Sequence, residues 1–100
     1  MKNILFFFVA LFLLPSCNEK PIACFTNVTP EDSMFVHRDI TFDGTCSSTS
    51  KNYYWDLGGQ ISNNSKPIVQ FDTAGVYTIF LLVSNGKNTN SIKKEYTVKP

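Results

Sequence analysis

The residue types able to do chemistry in this 100-residue chain are one histidine, three cysteines, eight carboxylates and an aromatic run, Tyr53-Tyr54-Trp55-Asp56. His37 has no partner in its sequence neighbourhood, and a nucleophilic triad needs three groups converging. The acids are dispersed, so no pair suggests glycoside hydrolysis. Gly58-Gly59 precedes no helix, lysine or acid pattern of the kind that cradles phosphate. With a single histidine, a metal site of three or four ligands is not expected. Neither catalysis nor a cofactor or metal is therefore expected.

The cysteines carry clearer chemistry. Lys2 precedes an apolar run over residues 4–14, which as a helix spans roughly 16 Å, about half of a bilayer core of about 30 Å. That is short for a membrane span and suits the apolar region of a signal peptide, expected over residues 1–16. Leu14-Pro15-Ser16-Cys17 looks like a bacterial lipobox. There, the Cys17 sulfur accepts a diacylglyceryl group and becomes the acylated N-terminus. Two or three acyl chains then anchor stably where one does not. The alternative is an ordinary signal peptide with Cys17 incidental. In the lipidated case Cys24 and Cys46 remain as an even pair in an exported, disulfide-permissive compartment. A bridge would close a loop of about 23 residues, worth about 3 kcal/mol in the chain-entropy model. The other reading is two buried free thiols.

Nine Lys and Arg against eight Asp and Glu give a net charge of +1, and losing Lys2 with the leader brings it to zero. Only Lys93-Lys94 stand together among the basic residues, so attraction to nucleic acid is not expected.

Beyond a short lipidated tether over residues 17–21, no window repeats at helical spacing. Short apolar runs occur at residues 22–28, 38–43, 52–57, 67–71, 76–84 and 92–99. They are separated by turn-forming clusters such as Asp43-Gly44-Thr45, Leu57-Gly58-Gly59 and Asn63-Asn64-Ser65. Asn85-Gly86 is the strongest hairpin signal. Recurring short strands with such punctuation predict an all-β antiparallel sandwich over residues 22–99.

Three segments carry a family resemblance. The Tyr53-Tyr54-Trp55-Asp56-Leu57-Gly58-Gly59 segment resembles the "YxWDFGDG" segment of PKD domains. Residues 71–85 are similar to their "Y-x-x-x-G-x-Y-x-V-x-L-x-V-x-N" strand. Phe42-Asp43-Gly44-Thr45-Cys46-Ser47-Ser48 is similar to "F-D-x-S-x-S-S". The resemblance implies an immunoglobulin-like sandwich that binds or spaces and does not catalyse. The chain departs from the family at Gly58-Gly59-Gln60, where the second acid of Gly-Asp-Gly is missing. Asp56 remains, with the expected role of accepting backbone N–H bonds in the turn.

Period-two alternation, aligned to the family's inward positions, sends Tyr53, Trp55 and Leu57 into the core against Tyr77, Ile79, Leu81 and Val83. Tyr54, Phe80 and Leu82 are left facing outward on neighbouring strands. This patch is either cross-strand packing or a partner-binding surface. The expected whole is a non-catalytic module at the bacterial cell envelope, joined to the membrane by its lipid anchor. It would hold a protein or a glycan and exist as a single copy. Asn18 after Cys17 resembles outer-membrane sorting, with the domain facing periplasm or medium. The alternative is a small envelope inhibitor or immunity-type lipoprotein. Asp32-Ser33-Met34 and Asp72-Thr73-Ala74 also resemble a three-residue O-glycosylation acceptor of some Gram-negative bacteria.

Overall fold

A computed structural model describes residues 20–50 and 52–100. The expected signal peptide and Cys17 lie outside the described residues. Among the described residues seven strands follow in order: β1 Thr26–Asn27, β2 Ile40–Asp43, β3 Asn52–Leu57, β4 Gln60–Ser62, β5 Ile68–Val69, β6 Gly75–Ser84 and β7 Thr89–Val98, with one 3-10 turn at Glu31–Ser33. They form two antiparallel sheets, β1-β2-β5 and β4-β3-β6-β7. The expected all-β sandwich is what the chain adopts.

Alternation builds the core between the sheets. Trp55, Ile79, Leu81 and Val83 are fully buried from the four-stranded sheet, with Ile40 and Phe42 facing them from the other. Tyr53 and Tyr77 are partly buried at its margin. Phe25 stands edge-on to Trp55, with ring centroids 5.2 Å apart. The Trp55 indole N–H donates to the Asn64 carbonyl at 2.6 Å, which satisfies the one polar atom the ring brings inside.

The three-stranded sheet is shorter than its apolar runs. At residues 22–28 only Thr26–Asn27 pair as a strand. Upstream, Ile22 makes a lone bridge to Ser48, and Cys24 is joined by a disulfide to Cys46, with Cα atoms 5.4 Å apart. Ser47 completes this seam, since its hydroxyl accepts from the Cys24 N–H and donates to the Cys24 carbonyl, both at 2.9 Å. The cysteines are thus bridged rather than free.

Between β3 and β4, Leu57 pairs with Gln60, so Gly58 and Gly59 form a two-residue loop with φ of 61° and 101°. Both angles are left-handed, as hairpin turns of this length require. Asp56 takes the expected role, accepting the Gly59 N–H at 2.7 Å. An added Cβ at Gly58 would come within 2.7 Å of the Tyr77 ring and 2.9 Å of the Phe71 ring, whereas at Gly59 it would meet nothing within 4 Å. Tyr77 cannot easily retreat. It stacks on Phe71 at 4.0 Å and donates its hydroxyl to the Thr73 carbonyl at 2.5 Å, an arrangement similar to the tyrosine corner of immunoglobulin-like sandwiches. Gly58→Ala is expected to cost about 2–4 kcal/mol from backbone strain plus crowding. Gly59→Ala is expected to cost about 1–2 kcal/mol from strain alone. Urea midpoints of the two variants check the difference.

The Asn85-Gly86 hairpin is present, but with a four-residue loop, because Ser84 pairs with Thr89. Only Gly86 takes a positive φ (96°). The Asn85 side chain accepts from the Lys87 and Asn88 N–H groups at 3.0 and 2.8 Å, holding the wider turn without a second left-handed residue.

Candidate interaction surface

The outer face of the four-stranded sheet collects the residues that alternation turns away from the core. Tyr54 on β3 lies opposite Leu82 on β6, which lies opposite Ser91 on β7. The next outward row along the strands runs across all four, as Ile61, Asp56, Phe80 and Lys93. With strands about 4.8 Å apart, these two rows form one continuous surface. Tyr54 is 43% exposed and Ile61 57%, while Phe80 and Leu82 are half-buried. All three residues expected in the patch therefore share this face, on adjacent strands.

Phe80 and Leu82 are more covered than outward residues of an edge strand would be, because β6 is flanked by β3 and β7. Ile61 belongs to the patch and was not foreseen. Its signal was the Gly58-Gly59 pair, which folds Gln60-Ile61-Ser62 back along β3. Val76, 65% exposed, lies on the same face farther along β6. The other sheet's outer face carries Val28 and Ile68 on either side of Thr41, with no aromatic ring.

The patch lies nearer to the end where the described chain begins. Thr49 donates its hydroxyl to the Lys20 carbonyl at 3.1 Å, and the Ala23 N–H donates to the Asn90 side chain at 2.7 Å. Residues 20–23 thus meet the sandwich where β3 and β7 start and β6 ends.

His37 reaches a partner only through the fold. Its Nδ1 lies 3.6 Å from the Asp72 carboxylate, with both side chains mostly exposed. With both groups in water, this is the geometry of an ordinary surface ion pair. Among the described residues, no three His, Cys, Asp or Glu converge as a metal site would require. Asp43 is held below the usual carboxylate range chiefly by the Thr45 hydroxyl and N–H, which it accepts at 2.6 and 2.8 Å, with Lys66 adding a smaller effect. That is turn chemistry. The hydroxyl-bearing residues of both O-glycosylation-like triplets, Ser33 and Thr73, are exposed.

No family model matches the chain, and no curated protein matches it by sequence. Solved structures do. One comes from work on the promiscuous specificity of carbohydrate-binding modules of the β-sandwich superfamily, with a TM-score of 0.74 and 23% identity. The match covers 82% of this chain and 35% of that one, so this chain spans about a third of its length. Another is the PKD1 domain of the Vibrio cholerae metalloprotease PrtV, with a TM-score of 0.67 and 24% identity over 82% of this chain and 100% of that one. The PKD1 domain of Vibrio anguillarum Epp gives a TM-score of 0.67 and 27% identity over 82% and 96%.

Proposed function

Since the described residues form a PKD-like β-sandwich, we propose that this chain is a lipid-anchored, non-catalytic module of the bacterial cell envelope that holds a partner on the outer face of its four-stranded sheet. The anchor rests on Leu14-Pro15-Ser16-Cys17 behind an apolar leader, and the outer-membrane address on Asn18 after Cys17. The observation that carries the docking role is the apolar cluster of Tyr54, Leu82, Phe80 and Ile61 on one outward face. A surface of this kind loses water favourably when a partner covers it.

The partner's chemistry follows from what surrounds the ring. Tyr54 lies opposite Leu82 and diagonal to Ile61, both branched aliphatics, and the next row carries one acid, Asp56, and one base, Lys93, on either side of β6. Such a surface suits protein side chains. A glycan is the second reading, supported by the likeness to a structure from work on carbohydrate-binding modules.

Substituting Tyr54→Ser and Phe80→Ser separates docking from packing. Cross-strand contacts of this kind are worth a few tenths to about 1 kcal/mol per pair. Capture of the partner from native envelope is expected to disappear while the stability loss stays near about 1 kcal/mol per site. Cooperative unfolding of the double variant at room temperature would show that the cluster serves the sheet instead. Binding to a glycan array with no protein captured would move the assignment to the second reading.

A further inference from the structure

Resting on that reading of the face, we propose that its protein partner is a second copy of this chain, stacked sheet to sheet about a two-fold axis running along β6. Charge across the sheet favours this pairing. In the row Ile61–Asp56–Phe80–Lys93, the acid stands one strand to one side of β6 and the base one strand to the other. A two-fold axis along β6 exchanges those sides. Asp56 of each copy then faces Lys93 of the other, twice, around a centre where Phe80 meets Phe80. In the neighbouring row Leu82 meets Leu82, and Tyr54 meets Ser91. Glu95, in the row beyond Lys93, falls opposite the glycine turn and faces no acid. The surface is self-complementary, as an isologous interface must be.

Strand direction favours it as well. An axis parallel to the strands leaves residues 20–23 of both copies at the same end of the pair, so two copies anchored in one membrane can meet without either turning over. It also gives the aligned packing that stacked sheets commonly take. The edge of β7 is the competing route to association. Its adjacent Lys93 and Lys94 guard against strand addition, and Lys94 is already committed, donating to the Phe25 carbonyl at 2.7 Å. The outer face of one four-stranded sheet, two of whose strands are only six and three residues long, offers less than the roughly 800 Å² per partner of a standard interface. Pairing is therefore weak in free solution and is raised by confinement to a shared surface. The single copy expected from the sequence is then the state of the dilute chain.

The test uses the full chain as isolated from cells, half of it grown on 15N, in phosphatidylethanolamine and phosphatidylglycerol vesicles. A carbodiimide joins carboxylates to amines without a spacer. Asp56–Lys93 links are expected, with about half joining a light and a heavy chain, as random pairing requires. Phe80→Arg, which sets two cations face to face on the axis, is expected to reduce mixed links at least tenfold while the domain still unfolds cooperatively, with its melting temperature lowered by no more than about 4–8 °C. Links found only within one isotope, or mixed links indifferent to Phe80→Arg, would overturn the second-copy assignment. If mixed links are absent but Phe80→Arg still abolishes capture of another envelope protein, the docking reading survives and this inference alone falls.

Discussion

Trp55→Ala is expected to remove roughly half of the domain's stability. The indole is fully buried. It stands against Phe25 at 5.2 Å and Phe42 at 6.2 Å. Gly44 lies so close that a Cβ there would come within 2.9 Å of it. Emptying such a site costs about 3–5 kcal/mol, transfer and cavity together. A domain of this size has on the order of 4–12 kcal/mol in all. Trp55→Phe separates volume from hydrogen bonding. It keeps an aromatic ring but removes the N–H bond to the carbonyl of the exposed Asn64, for a loss of about 0.5–1.5 kcal/mol. Urea unfolding followed by far-UV circular dichroism reads both variants. A Trp55→Ala midpoint close to the parent's would mean that the core is not organised on this ring.

Opening the Cys24–Cys46 bridge is the second large effect. The bridge closes a loop of about 23 residues, and its loss is expected to cost about 3 kcal/mol. In a domain of this size that lowers the melting temperature by roughly 12–24 °C. The loss has a local target. Without the bridge, residues 20–24 are held by the Ile22–Ser48 pair, the hydroxyls of Ser47 and Thr49, the Asn90 side chain and the burial of Pro21 and Ala23. Cys46 is exposed, so reductant can reach the bond. Melting the parent with and without dithiothreitol, beside a Cys24→Ala and Cys46→Ala double variant, measures it. The reduced parent and the variant are expected to coincide. A fall of less than about 2 °C would show that the seam holds by its hydrogen bonds alone.

What the sequence disclosed followed how strongly each segment's pattern depends on burial. The β3 strand was legible to the residue, because Tyr53, Trp55 and Leu57 alternate with outward side chains and a glycine pair ends the run. The β6 strand was legible to within one residue for the same reason. The start of β7 was not. Thr89-Asn90-Ser91 is polar and lies on a sheet edge, so only its pairing with Leu82-Val83-Ser84 makes it strand. The β4 strand was invisible as an element, with one apolar residue in three, and exists because a two-glycine turn returns it along β3.

The same logic governs the surface. Tyr54 could be placed outward by alternation alone. Phe80 and Leu82 could be placed on the same face, but their half-burial depends on β7 covering the far side of β6. Ile61 and the opposed pair Asp56 and Lys93 required the register of four strands. The approach of His37 to Asp72 joins residues 35 positions apart, which no local pattern encodes. The bridge between Cys24 and Cys46 was legible as parity once Cys17 was set apart for lipid.

The central claim is that the outer face of the four-stranded sheet is covered by a partner in the cell. It is tested most directly by placing p-benzoylphenylalanine at position 54, and separately at the exposed Ile68 of the other sheet, then irradiating living cells that make the full chain. Position 54 is expected to give a discrete adduct, at twice the chain's mass where the partner is a second copy, and position 68 none. No adduct at position 54, or the same adducts from both positions, would contradict it.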